Sequence, residues 1–344
     1  MNSYRTLGML GVLLLGACSG EGPNAPPSAT TNEVASESAA SVALTQERVD
    51  VADISLPAGF TATIFADELG SVRHLAVRSN GDLYGTIRQR GESDGGLVVM
   101  RDTDGDGVAD GVRSFGPKDV TTGLTIHKDT LYFTSNVKVY KWPLEKGRMI
   151  PSGTPEIVVE GFPEQRGHAD KPITFDREDH IYVGSGVPSN ACQEQPRTPG
   201  SMGKDPCPEL ELTGIWRYPS GHMGQVQEDG TQYTRGSRQI VAMEWHPIEN
   251  ALYFAMHGRD SLDSLFPEKF TAAQRIELPA EEFHRAEQGD DYGWPYTYYD
   301  PMRGERMVAP EYGGDGETPA EPGKYKDPLI GFPAHWGPND LLFY

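Results

Sequence analysis

The chain has 344 residues and a formal charge of −20, from 30 Lys and Arg against 50 Asp and Glu. That balance leaves no basic face able to neutralise phosphates, so nucleic acid is not an expected partner. With 40 Gly, 27 Pro and few long helical patterns, the composition points to many turns and short strands in one all-β domain.

Residues 1–18 read as a targeting signal. Arg5 precedes an apolar run from Leu7 to Leu15 that is too short to span a bilayer. The run closes on Leu15-Gly16-Ala17-Cys18, which resembles the bacterial lipoprotein cleavage box and would leave Cys18 as the lipidated first residue. The other reading is a secretory signal cut after Ala17. Acyl chains on Cys18 would hold the protein on a membrane surface by lipid anchor alone. Ser19 in the next position resembles the outer-membrane sorting pattern, so the expected place is the cell envelope, on the periplasmic side of the outer membrane. Residues 19–48 are rich in Ser, Ala, Pro, Glu and Thr, have little to bury, and are expected to form a disordered tether. The folded body is placed at 49–344.

Within the body a unit repeats. The segments from His74 to Tyr84, Gly123 to Tyr132, Pro172 to Tyr182 and Ala242 to Tyr253 each read as strand, turn and strand ending in Tyr. The tyrosines recur at intervals of 48, 50 and 71 residues, a period that marks propeller blades of four strands with one insertion. Two stacked sheets are the competing architecture. Met243, Trp245 and Phe254 read as blade core.

Three local patterns stand out. Asp102, Asp104, Asp106 and Asp110 surround Gly107 between two predicted strands, Gly96 to Met100 and Val112 to Phe115. Carboxylates at positions 1, 3, 5 and 9 around a glycine converge on one hard cation, so a structural Ca2+ is expected, a merely acidic turn being the alternative. Next, Gly167 to Gly186 reads as a hairpin whose apolar strands flank the acidic turn Asp176 to Asp179, with His168 at its mouth. Finally, the insertion between Val187 and Leu210 carries Cys192 and Cys207. With Cys18 assigned to lipid these two remain, in an oxidising compartment, and are expected to form a disulfide.

Several motifs then fall in order: Gly167-His168 leading to Ile181-Tyr-Val-Gly-Ser-Gly, Gly236-Ser-Arg238-Gln239, His257-Gly258-Arg259-Asp260, Asp290-Asp-Tyr292-Gly293-Trp294-Pro295, and His335-Trp336. Together they resemble the quinoprotein sugar dehydrogenases, in particular the sorbosone and pyranose dehydrogenase branch of six-bladed propellers. The resemblance runs from about Leu56 to Tyr344 and implies pyrroloquinoline quinone and Ca2+ as cofactors. It implies a sugar or related alcohol or aldehyde as substrate, and a cytochrome c or membrane quinone as electron acceptor.

Residue by residue, the resemblance implies that His168 is the catalytic base and that Arg238 stabilises charge arriving on the quinone. It implies that the main-chain carbonyls of Gly258 and Arg259 hold the catalytic calcium, and that Trp336 walls the substrate. Tyr292 to Pro295 is expected to be a structural corner. In the glucose dehydrogenase branch an acidic residue precedes and orients the base; here that position is Gly167, and Asp170 is the candidate substitute. The chain closes on Asp340-Leu-Leu-Phe-Tyr344, which reads as the middle of a repeat strand. The expectation is therefore four blades and part of a fifth, a C-terminally truncated ring whose activity alone is in question. A calcium-dependent, lactonase-like propeller hydrolase and a non-catalytic, surface-anchored binding propeller are the other function classes.

Overall fold

The computed structural model describes residues 54–89 and 94–344. The expected signal, Cys18 and the tether lie outside the described residues. Residues 54–65 fall in a unit of their own and carry no strand; the rest of the described chain forms the other unit.

Four antiparallel sheets follow one another in that larger unit. The first contains β1 (Val72–Val77), β2 (Leu83–Ile87), β3 (Gly96–Arg101) and β4 (Gly111–Phe115). The second is built from β5 (Val120–His127), β6 (Thr130–Ser135), β7 (Val139–Pro143) and β8 (Glu156–Glu160). The third takes β9 (Ile173–Phe175), β10 (His180–Ser185) and β11 (Gly214–Pro219). Its chain then leaves to add β12 (Gln225–Val226) in parallel to β8, and returns as β13 (Thr231–Thr234). The fourth holds β14 (Ile240–His246), β15 (Ala251–Met256) and β16 (Glu281–Ala286); a separate hairpin, β17 (Thr297–Asp300) and β18 (Glu305–Val308), intervenes before its last strand, β19 (Ile330–Phe332). First strands of successive sheets lie side by side, β1 by β5, β5 by β9 and β9 by β14, which is the arrangement of propeller blades.

The sequence of the second strands explains why sheets stack in this way. The second and third sheets have a neighbouring sheet on both faces, so their central strands must be apolar at successive positions instead of alternating. Leu131-Tyr-Phe133 on β6 and Ala251-Leu-Tyr-Phe-Ala-Met256 on β15 are buried throughout. The repeat tyrosines Tyr84, Tyr132, Tyr182 and Tyr253 are all buried on second strands. One apolar layer lies between the first and second sheets (Tyr84, Leu97, Leu131, Phe133), another between the second and third (Val158, Ile181, Val183, Trp216), and a third between the third and fourth (Ile215, Met243, Leu252, Phe254).

The expected hairpin at Gly167 to Gly186 is β9 and β10. Asp176 organises its turn: one carboxylate oxygen accepts the main-chain N–H of Glu178 and His180, and the other meets the ring of His180 and the hydroxyl of Tyr182. Cys192 and Cys207 are joined by a disulfide. Tyr292 and Trp294 are buried, as a structural corner requires.

The start of a fifth blade differs from expectation. Residues 338–344 form no strand, because an inner strand needs a hydrogen-bonded neighbour to become one. Instead they lie against the first and fourth sheets: His74 on β1 meets the carbonyl of Asn339, and Phe343 packs on His246 and Tyr253.

Phe254 is fully buried in the layer between the third and fourth sheets. Phe254→Ala is expected to cost about 3–5 kcal/mol, read as a lowered denaturant midpoint. Cys192→Ser with Cys207→Ser is expected to cost about 3 kcal/mol by releasing the closed loop, read by the same measurement.

Candidate active site

The segments that leave and enter the third and fourth sheets meet on one side of the molecule. His168 precedes β9, Val187 and Asn190 follow β10, Arg238 precedes β14, Gly258 to Asp260 follow β15, and Glu281 opens β16. Rigid strands thus hold the ends of these segments, and the segments carry the chemistry.

His168 is fixed from three sides. Its Nδ1 lies 2.7 Å from the carbonyl of Val187, and its own carbonyl accepts the side-chain amide of Gln165 at 2.7 Å. It adopts a left-handed backbone conformation with φ 54°, a strained geometry for a residue with a Cβ. Gly186 makes room for it, since a Cβ there would stand 2.4 Å from the His168 carbonyl oxygen.

A carbonyl can only accept, so Nδ1 carries the hydrogen and the neutral ring presents Nε2 as a lone pair. Burial, reinforced by the nearby Arg238 charge, lowers the His168 pKa to about 4. At neutral pH the ring is therefore an uncharged base in a defined tautomer. Asp170, expected to orient it, instead accepts the amide of Gln239 at 3.3 Å. The orienting acceptor is a main-chain carbonyl, which the sequence could not single out.

Arg238 is the second centre. It is buried and donates to the carbonyl of Gly258 at 2.8 Å, to Asn190 Oδ1 at 3.1 Å and to the carboxylate of Asp260 at 2.8 Å, while its Nε has no partner. Its main-chain carbonyl accepts the N–H of Val187 at 2.9 Å. Val187 therefore joins the His168 ring to the Arg238 backbone, through its carbonyl on one side and its N–H on the other. Arg197 also reaches Asp260 at 3.0 Å. Burial opposes ionisation of Asp260, but Arg238 and Arg197 outweigh it and hold the carboxyl below its usual range.

The main-chain assignments fare differently. The Gly258 carbonyl, expected to face calcium, already accepts Arg238 and keeps one lone pair in reserve. A Cβ at Gly258 would meet the Ala280 carbonyl at 2.6 Å, so the approach is one only glycine permits. Arg259 turns its guanidinium away into a buried ion pair with Glu311. Trp336 is 66% exposed and stacks on Phe332.

Four participants were missed by sequence reasoning: Val187, Asn190, Asp260 and Glu281. Asp260 stands at the end of the His257-Gly-Arg-Asp motif, which was a usable signal. Asn190 lies in the disulfide insertion, where its Oδ1 accepts from Arg238 and from the Asp260 N–H, and its carbonyl accepts the Trp294 indole. The carboxylate of Glu281 accepts the N–H of Gly258 and of His335; burial outweighs these bonds and raises its pKa to about 7.

Far from this cluster, the carboxylates of Asp102, Asp104 and Asp106 lie close enough to share a cation. Asp110 does not join them. Its carboxylate is taken by the N–H and hydroxyl of Thr103, so three of the four expected ligands converge.

A family model described as TrAA12-like matches residues 54–344. Among solved structures, the calcium structure of Trichoderma reesei Carbohydrate-Active Enzymes Family AA12 is 17% identical, covering 81% of this chain and 71% of that chain with a TM-score of 0.65. The holo form of the pyranose dehydrogenase PQQ domain from Coprinopsis cinerea is 14% identical, covering 81% and 69% with a TM-score of 0.62. Both likenesses establish the β-propeller fold. A comparison with curated proteins gives no match.

Titration of His168 by NMR is expected to give a midpoint near pH 4, and Arg238→Met is expected to move it upward by removing the neighbouring charge. The unfolded imidazole takes its proton near 6.5, so the unfolded chain binds more protons between the two values. Stability present above pH 6.5 is lost as pH falls toward 4. Gly186→Ala is expected to displace His168 and raise that midpoint toward 6.5, because the ring can then leave its buried seat.

Proposed function

We propose that this chain, which belongs to the TrAA12-like family, oxidises a sugar or related alcohol or aldehyde with pyrroloquinoline quinone and Ca2+ as cofactors. The observation that carries the reading is the His168 ring, neutral, held through Nδ1 on the Val187 carbonyl and offering Nε2 beside a buried arginine. The structural relatives fit this reading, one being described as a holo PQQ domain and the other as a calcium structure.

The residues present suit such a group. Arg238, Arg197 and Arg259 gather in one neighbourhood of a chain whose formal charge is −20, which favours a ligand bearing carboxylates. The unpartnered Nε of Arg238 is a donor awaiting an acceptor. Arg238 would hold the quinone edge, and the remaining lone pair of Gly258 with the main-chain carbonyl of Arg259 would face the ion. The Trp336 face would cover the sugar ring. When bound, the quinone with its calcium supplies the two-electron acceptor for the hydride leaving the sugar carbon.

The chain's own work is proton handling and positioning. His168 Nε2 takes the hydroxyl proton of the sugar, and the resulting imidazolium is stabilised by the Val187 carbonyl on its far side. Arg238 holds a fixed positive charge where negative charge grows, and its salt bridge to Asp260 and bond to Asn190 keep it there without rearrangement. Asp260 and Glu281, the carboxylates at this site, are engaged by guanidinium groups and main-chain N–H donors. A calcium-dependent hydrolase would instead need them turned inward as a ring of ligands.

The reading extends to the rest of the chain. Asp102, Asp104 and Asp106 bind a structural Ca2+, a cytochrome c or membrane quinone takes the electrons, and a lipid on Cys18 keeps the enzyme at the envelope surface.

With Ca2+ and pyrroloquinoline quinone added, dye reduction is expected with at least one member of a sugar panel. His168→Ala is expected to lower turnover by about 10²–10⁴-fold with quinone binding retained. Undiminished turnover in His168→Ala would remove the assigned base, and absence of quinone binding in the unaltered chain would remove the cofactor.

A further inference from the structure

Two insertions that the blades do not need face each other across an open space. One is the disulfide-closed segment through Met202 and Gly203; the other is the β17–β18 hairpin with the residues that follow it to Tyr325. Between them lies a groove of about 770 Å3, within the size range of small-molecule sites.

The lining is aromatic and acidic. Tyr296, Tyr312 and Tyr325 supply ring surface, Tyr296 and Tyr312 meeting edge to face with centroids 4.7 Å apart. Gly203 lets the hydroxyl end of the Tyr312 ring approach the main chain, since a Cβ there would stand 2.2 Å from the ring. Glu311, 1% exposed, gives one carboxylate oxygen to Arg259 and leaves Oε1 without a partner; the buried hydroxyl of Thr297 is also unpartnered. Lys324 is the one cation among the lining residues, against Asp205, Glu311 and Glu321.

These groups select a ligand class. A buried carboxylate oxygen without a donor requires one, and hydroxyl groups provide it. Flat ring surfaces suit the C–H faces of a pyranose, and an acidic wall disfavours phosphates and other anions. We infer that this groove binds a neutral saccharide, at a place separate from His168. The inference goes beyond the dehydrogenase reading, since it needs neither quinone nor oxidation. The two places are joined through Arg259, whose guanidinium grips Glu311 on one side and the carbonyl of Asp260 on the other, and through Thr297, which lines both the groove and the pocket beside Arg238.

Isothermal titration of the full chain, without added quinone or calcium, with maltotriose, cellotriose and xylotriose tests this. At least one trisaccharide is expected to bind, and Tyr325→Ala is expected to weaken it about tenfold. Tyr325 is half-buried, so Met202→Arg serves beside it: Met202 is 51% exposed at the rim, where a bulky cation blocks entry without disturbing the core. His168→Ala is expected to leave this binding unchanged. The inference falls if no trisaccharide binds, or if His168→Ala abolishes binding while Met202→Arg and Tyr325→Ala preserve it. Dye reduction is a separate readout, so either reading can fail while the other stands.

Discussion

The main chain of one residue sets the candidate site. The N–H of Val187 is bound by the Arg238 carbonyl and its own carbonyl receives the His168 ring, so the two peptide planes that meet at the Val187 Cα fix the spacing of base and cation. Val187 sits immediately beyond β10, a strand buried on both sides, and cannot swing without dragging the third sheet with it. Tautomer and orientation of His168 follow from that attachment, while its neutral state comes from burial and the Arg238 charge. An acidic side chain in the same place would have held the ring equally well but raised its affinity for a proton. A carbonyl dipole orients the ring at a smaller electrostatic cost to its basicity window.

Around that residue the charges are arranged in pairs and threes. Arg238 is balanced by Asp260, Asp260 by Arg197, and Arg259 by Glu311, with Asn190 threading between the first two. The Arg259–Glu311 pair is buried and the two pairs to Asp260 are partly exposed, and both kinds contribute little net stability, because desolvation offsets the attraction in the first and solvent screening weakens it in the others. Their value here is geometric: each guanidinium has one permitted direction, and the leftover donor on Arg238 and acceptor on Glu311 open toward different ligands.

Much of this was legible before any coordinates. Tyr84, Tyr132, Tyr182 and Tyr253 announced the blades because a strand covered on both faces leaves a continuous apolar signature, and Cys192 with Cys207 announced the clasp on the insertion. His168 and Arg238 could be picked out as residues because their chemistry is carried in their side chains. Their supports could not. Val187 contributes main-chain atoms that any residue type possesses, and Asn190 meets Asp260 across 70 positions of sequence. Tyr292 to Pro295 reads as a corner, and the β17–β18 hairpin that follows it carries no signal of its own, because nothing local distinguishes a corner from the start of an excursion. The parallel addition of β12 to the outer edge of the second sheet was illegible for a similar reason: two residues carry no periodicity.

The apolar layers lie between sheets instead of inside them, so neighbouring blades share their interior like terraced houses sharing party walls. A change of volume on one side of such a wall must be answered by the neighbour on the other, and not by the blade's own remaining strands. Over evolutionary time the inner pairs are then obliged to drift together, while outer strands and the excursions between them are free to be rewritten. A ring of this construction offers novelty at its periphery and continuity at its centre.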